Sequence, residues 1–162
     1  MEGAQDPRWL TDEQQDTWRA LIGLILRLPS ALDTQMRRDA GISHFDYLVL
    51  STLSMAPGWT MRMSELAAEA EASLPRLSQV VAKLEKQDWL RRAPDPDDGR
   101  YTLATLTQAG WDKVLSTAPG HVNEVQRLVF DALPPAQQRQ LGEISRRVTR
   151  TIEGPVDPPR ES

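Results

Sequence analysis

A mainly helical fold carrying one small β hairpin is what this chain predicts, and three observations predict it. Apolar residues recur at three- and four-residue spacing through most of the 162 positions. Helix-capping residues (Thr11, Ser43, Ser64, Ser73 and Thr107) stand ahead of successive apolar runs. One dense turn signal, Pro94-Asp95-Pro96-Asp97-Asp98-Gly99, separates two segments of strand composition, Trp89 to Ala93 and Tyr101 to Leu106.

Thr11 followed by Gln14 is a capping-box pattern. It opens one long amphipathic helix with apolar residues at Trp18, Leu21, Ile22, Ile25, Leu28, Leu32 and Met36, ending near Gly41. Pro29 is expected to kink it, because the ring removes a backbone donor and crowds the preceding turn. Ser43 with Asp46 caps a second helix with Phe45, Leu48, Val49, Leu50 and Leu53 inward, closed by Pro57-Gly58.

Residues 60 to 63 suit a very short strand. Ser64 is expected to cap a helix through about Ala70 that buries Leu66, Ala67 and Ala70. Ser73 caps the next, which runs to about Gln87 or Asp88 with Leu77, Val80, Val81 and Leu84 inward. Pro75 is tolerated there because first-turn amides lack partners anyway. Leu103 and Leu106 are expected to supply the inward face of the second hairpin strand. Thr107 caps a helix that Pro119-Gly120 should break or bend before it resumes through Val122, Val125, Leu128, Val129 and Leu133. Pro134-Pro135 opens a last helix (Leu141, Ile144, Val148, Ile152) that stops at Gly154-Pro155. Residues 1–10 and 154–162 read as disordered.

Composition narrows the function. With 40% apolar residues the chain can build a core, while the longest apolar run, Leu21 to Leu26, is far too short to cross a membrane. The N-terminus is polar and acidic, without a secretory pattern, so a cytoplasmic protein is expected. The absence of cysteine excludes disulfides, cysteine zinc sites and thiol redox sensing. The spacing of His44 and His121 supports no metal site. No nucleophile with its base, phosphate loop or catalytic acid pair is visible, so neither catalysis nor a cofactor is expected.

The order short helix, turn, helix, hairpin is that of a winged helix-turn-helix, with one helix in the DNA major groove and a wing beside it. Ser73, Pro75, Arg76, Ser78 and Gln79 occupy the outward N-terminal positions of the second helix, with Lys83 further along. Arginine and glutamine suit bidentate contacts to guanine and adenine; Ser73 caps and can touch phosphate. Arg100 ends the wing turn, where a guanidinium can enter the narrow minor groove. Asp98 is expected to brace the wing by pairing with Arg100 or Arg76. Charge argues the other way: the net is −4. Between Ser73 and Arg100 six basic residues face five acids, which leaves one net positive charge. A winged-helix module that docks proteins rather than DNA is therefore the competing reading.

The block Leu90-Arg91-Arg92, Asp95-Pro-Asp-Asp-Gly-Arg100, Leu106-Thr107-Gln-Ala-Gly110 resembles the wing signature of the multiple-antibiotic-resistance regulator (MarR) family. The MSELA and SQVVAKLEKQDWL segments resemble that family's helix-turn-helix, and the similarity covers nearly the whole chain. Gly99 departs from the pattern by standing where many members carry an extra arginine, which leaves Arg100 as the sole basic residue at the tip. The resemblance implies a homodimer reading double-stranded DNA at a pseudo-palindromic operator, with a helical dimerisation region over 11–41 and 108–153 and a DNA-binding lobe over 43–107. It also implies a small-molecule effector between the dimer helices and that lobe. Residue types there suggest Trp18, His44 and Tyr47 as an aromatic wall, Arg19 as anchor for an aromatic acid, and His121 as a neighbour. Apolar residues of the terminal helices, among them Leu24, Leu128, Ile144 and Val148, exceed what a small lobe can cover, so a second copy is expected to cover them.

Overall fold

The computed structural model describes residues 7–154. Six helices and one three-stranded sheet follow in the order α1 (Asp12–Ala40), α2 (His44–Met55), β1 (Thr60–Arg62), α3 (Met63–Glu69), α4 (Leu74–Glu85), β2 (Leu90–Pro94), β3 (Thr102–Leu106), α5 (Gln108–Val125) and α6 (Pro135–Glu153). The mainly helical prediction with a small β wing holds. Two compact units divide the chain between His121 and Val122. The expected disorder of 1–10 and 154–162 lies mostly outside the described residues.

Local chemistry accounts for most of the boundaries. Thr11 and Gln14 form a reciprocal capping box on α1, and Ser43 and Asp46 do the same on α2. Gly41 ends α1 at φ 69°, a left-handed conformation that glycine adopts without steric cost. Thr107 caps α5 by accepting the Gly110 N–H at 3.0 Å while donating to the Asp88 carbonyl at 2.5 Å.

Four expectations need correction. Arg62, not Ser64, takes the N-cap position of α3, and its N–H is satisfied by Glu65 Oε2 at 3.3 Å. The fourth helix ends at Glu85, earlier than expected, because Asp88 turns to φ 57° and the Trp89 N–H folds back onto the Leu84 carbonyl. Pro119-Gly120 does not interrupt α5, which runs unbroken through both and gives way only at a π-type turn over Gln126–Phe130. Pro119 and Leu115 both lie on the exposed face, so the carbonyl deprived of its partner meets water. Pro29 likewise sits on an exposed face of a continuous α1. Finally, Ala104 rather than Leu103 shares the buried face of β3 with Leu106, as the two-residue period of a strand requires.

In the first unit the sheet runs β1-β3-β2, all antiparallel, with Leu90 opposite Leu106 and Met61 opposite Ala104. Its core joins Met36 of α1, Val49, Leu50 and Leu53 of α2, Leu66 of α3, Leu77, Val81 and Leu84 of α4, and Leu90, Ala104 and Leu106 of the sheet. Trp59 stacks on Trp111 with ring centroids 4.9 Å apart and planes 15° from parallel. Gly110 is pressed against the β2 entry: a Cβ there would lie 1.9 Å from the Trp89 carbonyl oxygen. Only the last third of α1 contributes buried residues (Leu32, Gln35, Met36), whereas Trp18, Leu21 and Ile25 of its apolar stripe are exposed.

The second unit holds the end of α5, the π-type turn and α6. Gln138 closes that turn by donating to the Phe130 and Leu133 carbonyls at 3.1 and 3.0 Å. No residue of α6 is buried, and Ile144, Val148 and Ile152 form an exposed apolar stripe at four-residue spacing.

Candidate nucleic-acid interface

Helix α4 is fixed from beneath by Leu77, Val81 and Leu84 and turned outward at its start. Ser73 Oγ accepts the Arg76 N–H at 3.4 Å, which confirms the cap. The remaining first-turn amides, with the positive end of the helix dipole, form an anion-attracting terminus. Pro75, Arg76 and Gln79 are exposed, while Ser78 is half-buried. The Arg76 guanidinium rests on the Phe45 ring, 4.2 Å from its centroid, so α2 sets its resting position. Lys83 is engaged by the buried carboxylate of Asp46.

The hairpin of β2 and β3 carries the wing, and its loop spans residues 95–101. Asp98 pairs with Arg100, not with Arg76: Nη2 lies 2.6 Å from Oδ2 and Nε 2.9 Å from Oδ1. That side-chain contact, seconded by the Arg100 backbone N–H, holds the Asp98 carboxyl below its ordinary pKa. Arg100 is raised by the same partner and stays charged while projecting into solvent. Arg92 anchors the hairpin base by donating to Glu85 at the end of α4, and this keeps Glu85 ionised below the usual range.

Two residues of this region were not visible as a pair. Asp95 is buried, its carboxyl held below the ordinary range first by the Asp97 backbone N–H and then by the Arg62 guanidinium. Arg62 also stacks on Tyr101, 4.3 Å from the ring centroid. Thirty-three residues separate Arg62 from Asp95, so no local pattern could join them; an acid beyond need in the turn was the only hint.

The residues expected to form an effector pocket divide. His121 sits 5.4 Å from His44 and 5.0 Å from Tyr47, ring to ring, and joins α5 to the start of α2. Burial pushes both histidines toward the neutral form; Asp33 opposes this at His44, and His44 adds to it at His121. Tyr47 is raised by burial. Asp33 accepts the His44 N–H at 2.9 Å and the Arg37 Nε–H at 2.6 Å, which ties α1 to this cluster. Trp18 and Arg19 do not join it. They stand fifteen residues or so before Asp33 on the same helix, roughly 22 Å away at 1.5 Å per residue. Trp18 is 52% exposed, and Arg19 pairs with Asp16 at 3.2 Å. No group of three His, Cys, Asp or Glu among the described residues is placed to hold a metal ion.

A buried helix pair with a polar outer terminus, flanked by a β hairpin tipped with arginine, defines a winged helix-turn-helix regulator. The MarR family model matches residues 40–100. The chain is 44% identical to Sco3205, a MarR family transcriptional regulator from Streptomyces coelicolor solved in complex with DNA, over 93% of this chain and 94% of that one, with a TM-score of 0.88. AbsC, a MarR family transcriptional regulator from the same organism, is 32% identical over 92% and 100% of the two chains, with a TM-score of 0.86. The transcriptional repressor MprA of Escherichia coli (strain K12) is 24% identical over 74% of this chain and 67% of its own length. The chain belongs to the MarR family of transcriptional regulators. It is thus a regulator rather than an enzyme.

Proposed function

We propose that the protein is a homodimeric transcriptional repressor in the cytoplasm whose binding to a pseudo-palindromic operator is modulated by a small effector. One observation carries the DNA reading: the polar N-terminus of α4 and the charged Arg100 at the wing tip are both exposed and both held by the same buried core. Arg76 and Gln79 would read bases in the major groove, Ser73 and Pro75 would face the phosphates, and Arg100 would enter the minor groove. The similarity to a regulator crystallised with DNA supports this reading, and the similarity to MprA supports repression. No helix among the described residues is long and apolar enough to cross a membrane.

Dimerisation through 11–41 and 108–153 is supported by the exposed Leu21, Leu24, Ile25, Ile144 and Val148. The effector site is assigned to His44, Tyr47 and His121, without Arg19 as its anchor.

A mobility-shift titration on the DNA upstream of the protein's own gene tests the reading. Arg76→Ala and Arg100→Ala should each weaken binding about tenfold. Affinity should fall linearly on log–log axes as salt rises. The net charge of −4 keeps a protein-docking module as the second reading; binding indifferent to salt and to both substitutions would favour it.

A further inference from the structure

We infer that Arg62 is the positioning residue that sets the wing relative to the recognition helix, and so decides where Arg100 meets DNA. The inference rests on the DNA-binding reading above. Arg62 stands at the joint between β1 and α3. Its backbone N–H, bound to Glu65, fixes its main chain at the start of the first helix of the helix-turn-helix. Its side chain reaches the wing, where Nε and Nη2 approach Asp95 Oδ2 at 3.1 and 2.9 Å. The same guanidinium plane lies against Tyr101, the neighbour of Arg100.

These contacts hold both ends of the wing loop. Asp95 Oδ1 accepts the Asp97 N–H at 3.0 Å, the Asp95 N–H donates to the Tyr101 carbonyl at 2.9 Å, and the Tyr101 N–H donates to the Asp98 carbonyl at 3.0 Å. The strand register stops at Pro94 and Thr102, and past it the main chain adds the Asp95–Tyr101 bond, so the side-chain grip of Arg62 supplements a ladder that is running out. Beyond that point a two-stranded ribbon twists easily. Arg62 also lines the 170 Å³ cleft between wing and recognition helix, together with Leu74 at the start of α4, Arg100 and Tyr101. A charged plane with several fixed donors can pair with Asp95 and stack on Tyr101 at once, which a lysine ammonium cannot. Arg62 therefore acts through the wing, by holding Arg100 at a set distance from the bases read by α4.

The test selects duplexes from a random library with the full-length chain and compares base preferences for wild type, Arg62→Gln, Arg62→Lys and Arg100→Ala, with melting temperatures measured alongside. Arg62→Gln should keep the half-site preferences read by α4 and lose the same flanking preference that Arg100→Ala loses. Its affinity for the wild-type duplex should fall roughly tenfold. A double variant carrying Arg62→Gln and Arg100→Ala should bind no more weakly than Arg100→Ala alone, since both remove one contact. Arg62→Lys should fall between wild type and Arg62→Gln. If Arg62→Gln does not fold, Asp95→Asn replaces it, because the amide oxygen still accepts from Asp97 while the ion pair is gone. A folded variant with intact flanking preference, an equal loss of half-site and flanking bases, or additive losses in the double variant would overturn the inference. A wild-type protein that enriches no duplex would instead remove the DNA-binding reading itself.

Discussion

Lys83, in the last turn of α4, places its ammonium 2.5 Å from Oδ2 of Asp46, a residue only 2% exposed. The same oxygen accepts the Ser43 N–H at 2.9 Å, so the cap of α2 and the last turn of α4 share one acceptor. Asp46→Ala removes both interactions and should lower the unfolding free energy by about 2 kcal/mol, a value moderated because Lys83 is half in water. Urea titration measures it; a loss below roughly 0.5 kcal/mol, the usual range for neutral surface changes, would show that the shared acceptor matters little.

Stability should depend on pH through His44 and His121. Burial lowers both below the ordinary value of 6.5, so the unfolded chain binds more protons just under that pH. Their contribution is complete above pH 6.5 and is lost as pH falls toward their folded values. The lowered carboxylates Asp33, Asp98 and Glu85 still support the fold in this window and weaken it only below about pH 4.5. The melting temperature should therefore decline between pH 7 and pH 5, and His44→Gln/His121→Gln should flatten that decline. An unchanged slope in the double variant would assign the effect elsewhere.

Gly110→Ala should be strongly destabilising, by about 3 kcal/mol, because the added methyl would lie 1.9 Å from the Trp89 carbonyl oxygen, a backbone atom that the Thr107 N–H already binds. Gly99→Ala is the control, with nothing within 4 Å of its added carbon. Equal melting temperatures for the two variants would contradict the packing of α5 against the β2 entry.

Ile25→Lys addresses self-association. The side chain is exposed in the single chain, so helicity should be unchanged while the sedimentation coefficient drops from that of two copies to that of one. A wild-type chain that sediments as a single copy at micromolar concentration would end the dimer proposal.

What the sequence made legible follows from how far each interaction reaches. Caps at Thr11, Ser43, Ser73 and Thr107 involve residues three apart, and all four form as read. The inward sets of α3 and α4 are likewise local in period, and Leu66, Leu77, Val81 and Leu84 are fully buried. Strand phase was readable but misread at Leu103, where size was favoured over alternation and the smaller Ala104 took the inner position. Pro119 carries a breaking signal in the sequence, but it lies on a face of α5 that meets water and the helix continues through it. Arg62 with Asp95 is set by tertiary folding across 33 residues, beyond any local pattern, and His121 could be read beside His44 and Tyr47 only through the family resemblance. Within one chain, the length of α1 keeps Trp18 and Arg19 far from His44.

The parallel indoles of Trp59 and Trp111 give the protein a built-in optical gauge. Aromatic chromophores this close couple their transitions, so their near-ultraviolet circular dichroism reports the spacing between the loop that enters β1 and the first turn of α5. A shift of one ring against the other, on protonation for example, can be followed on unlabelled material.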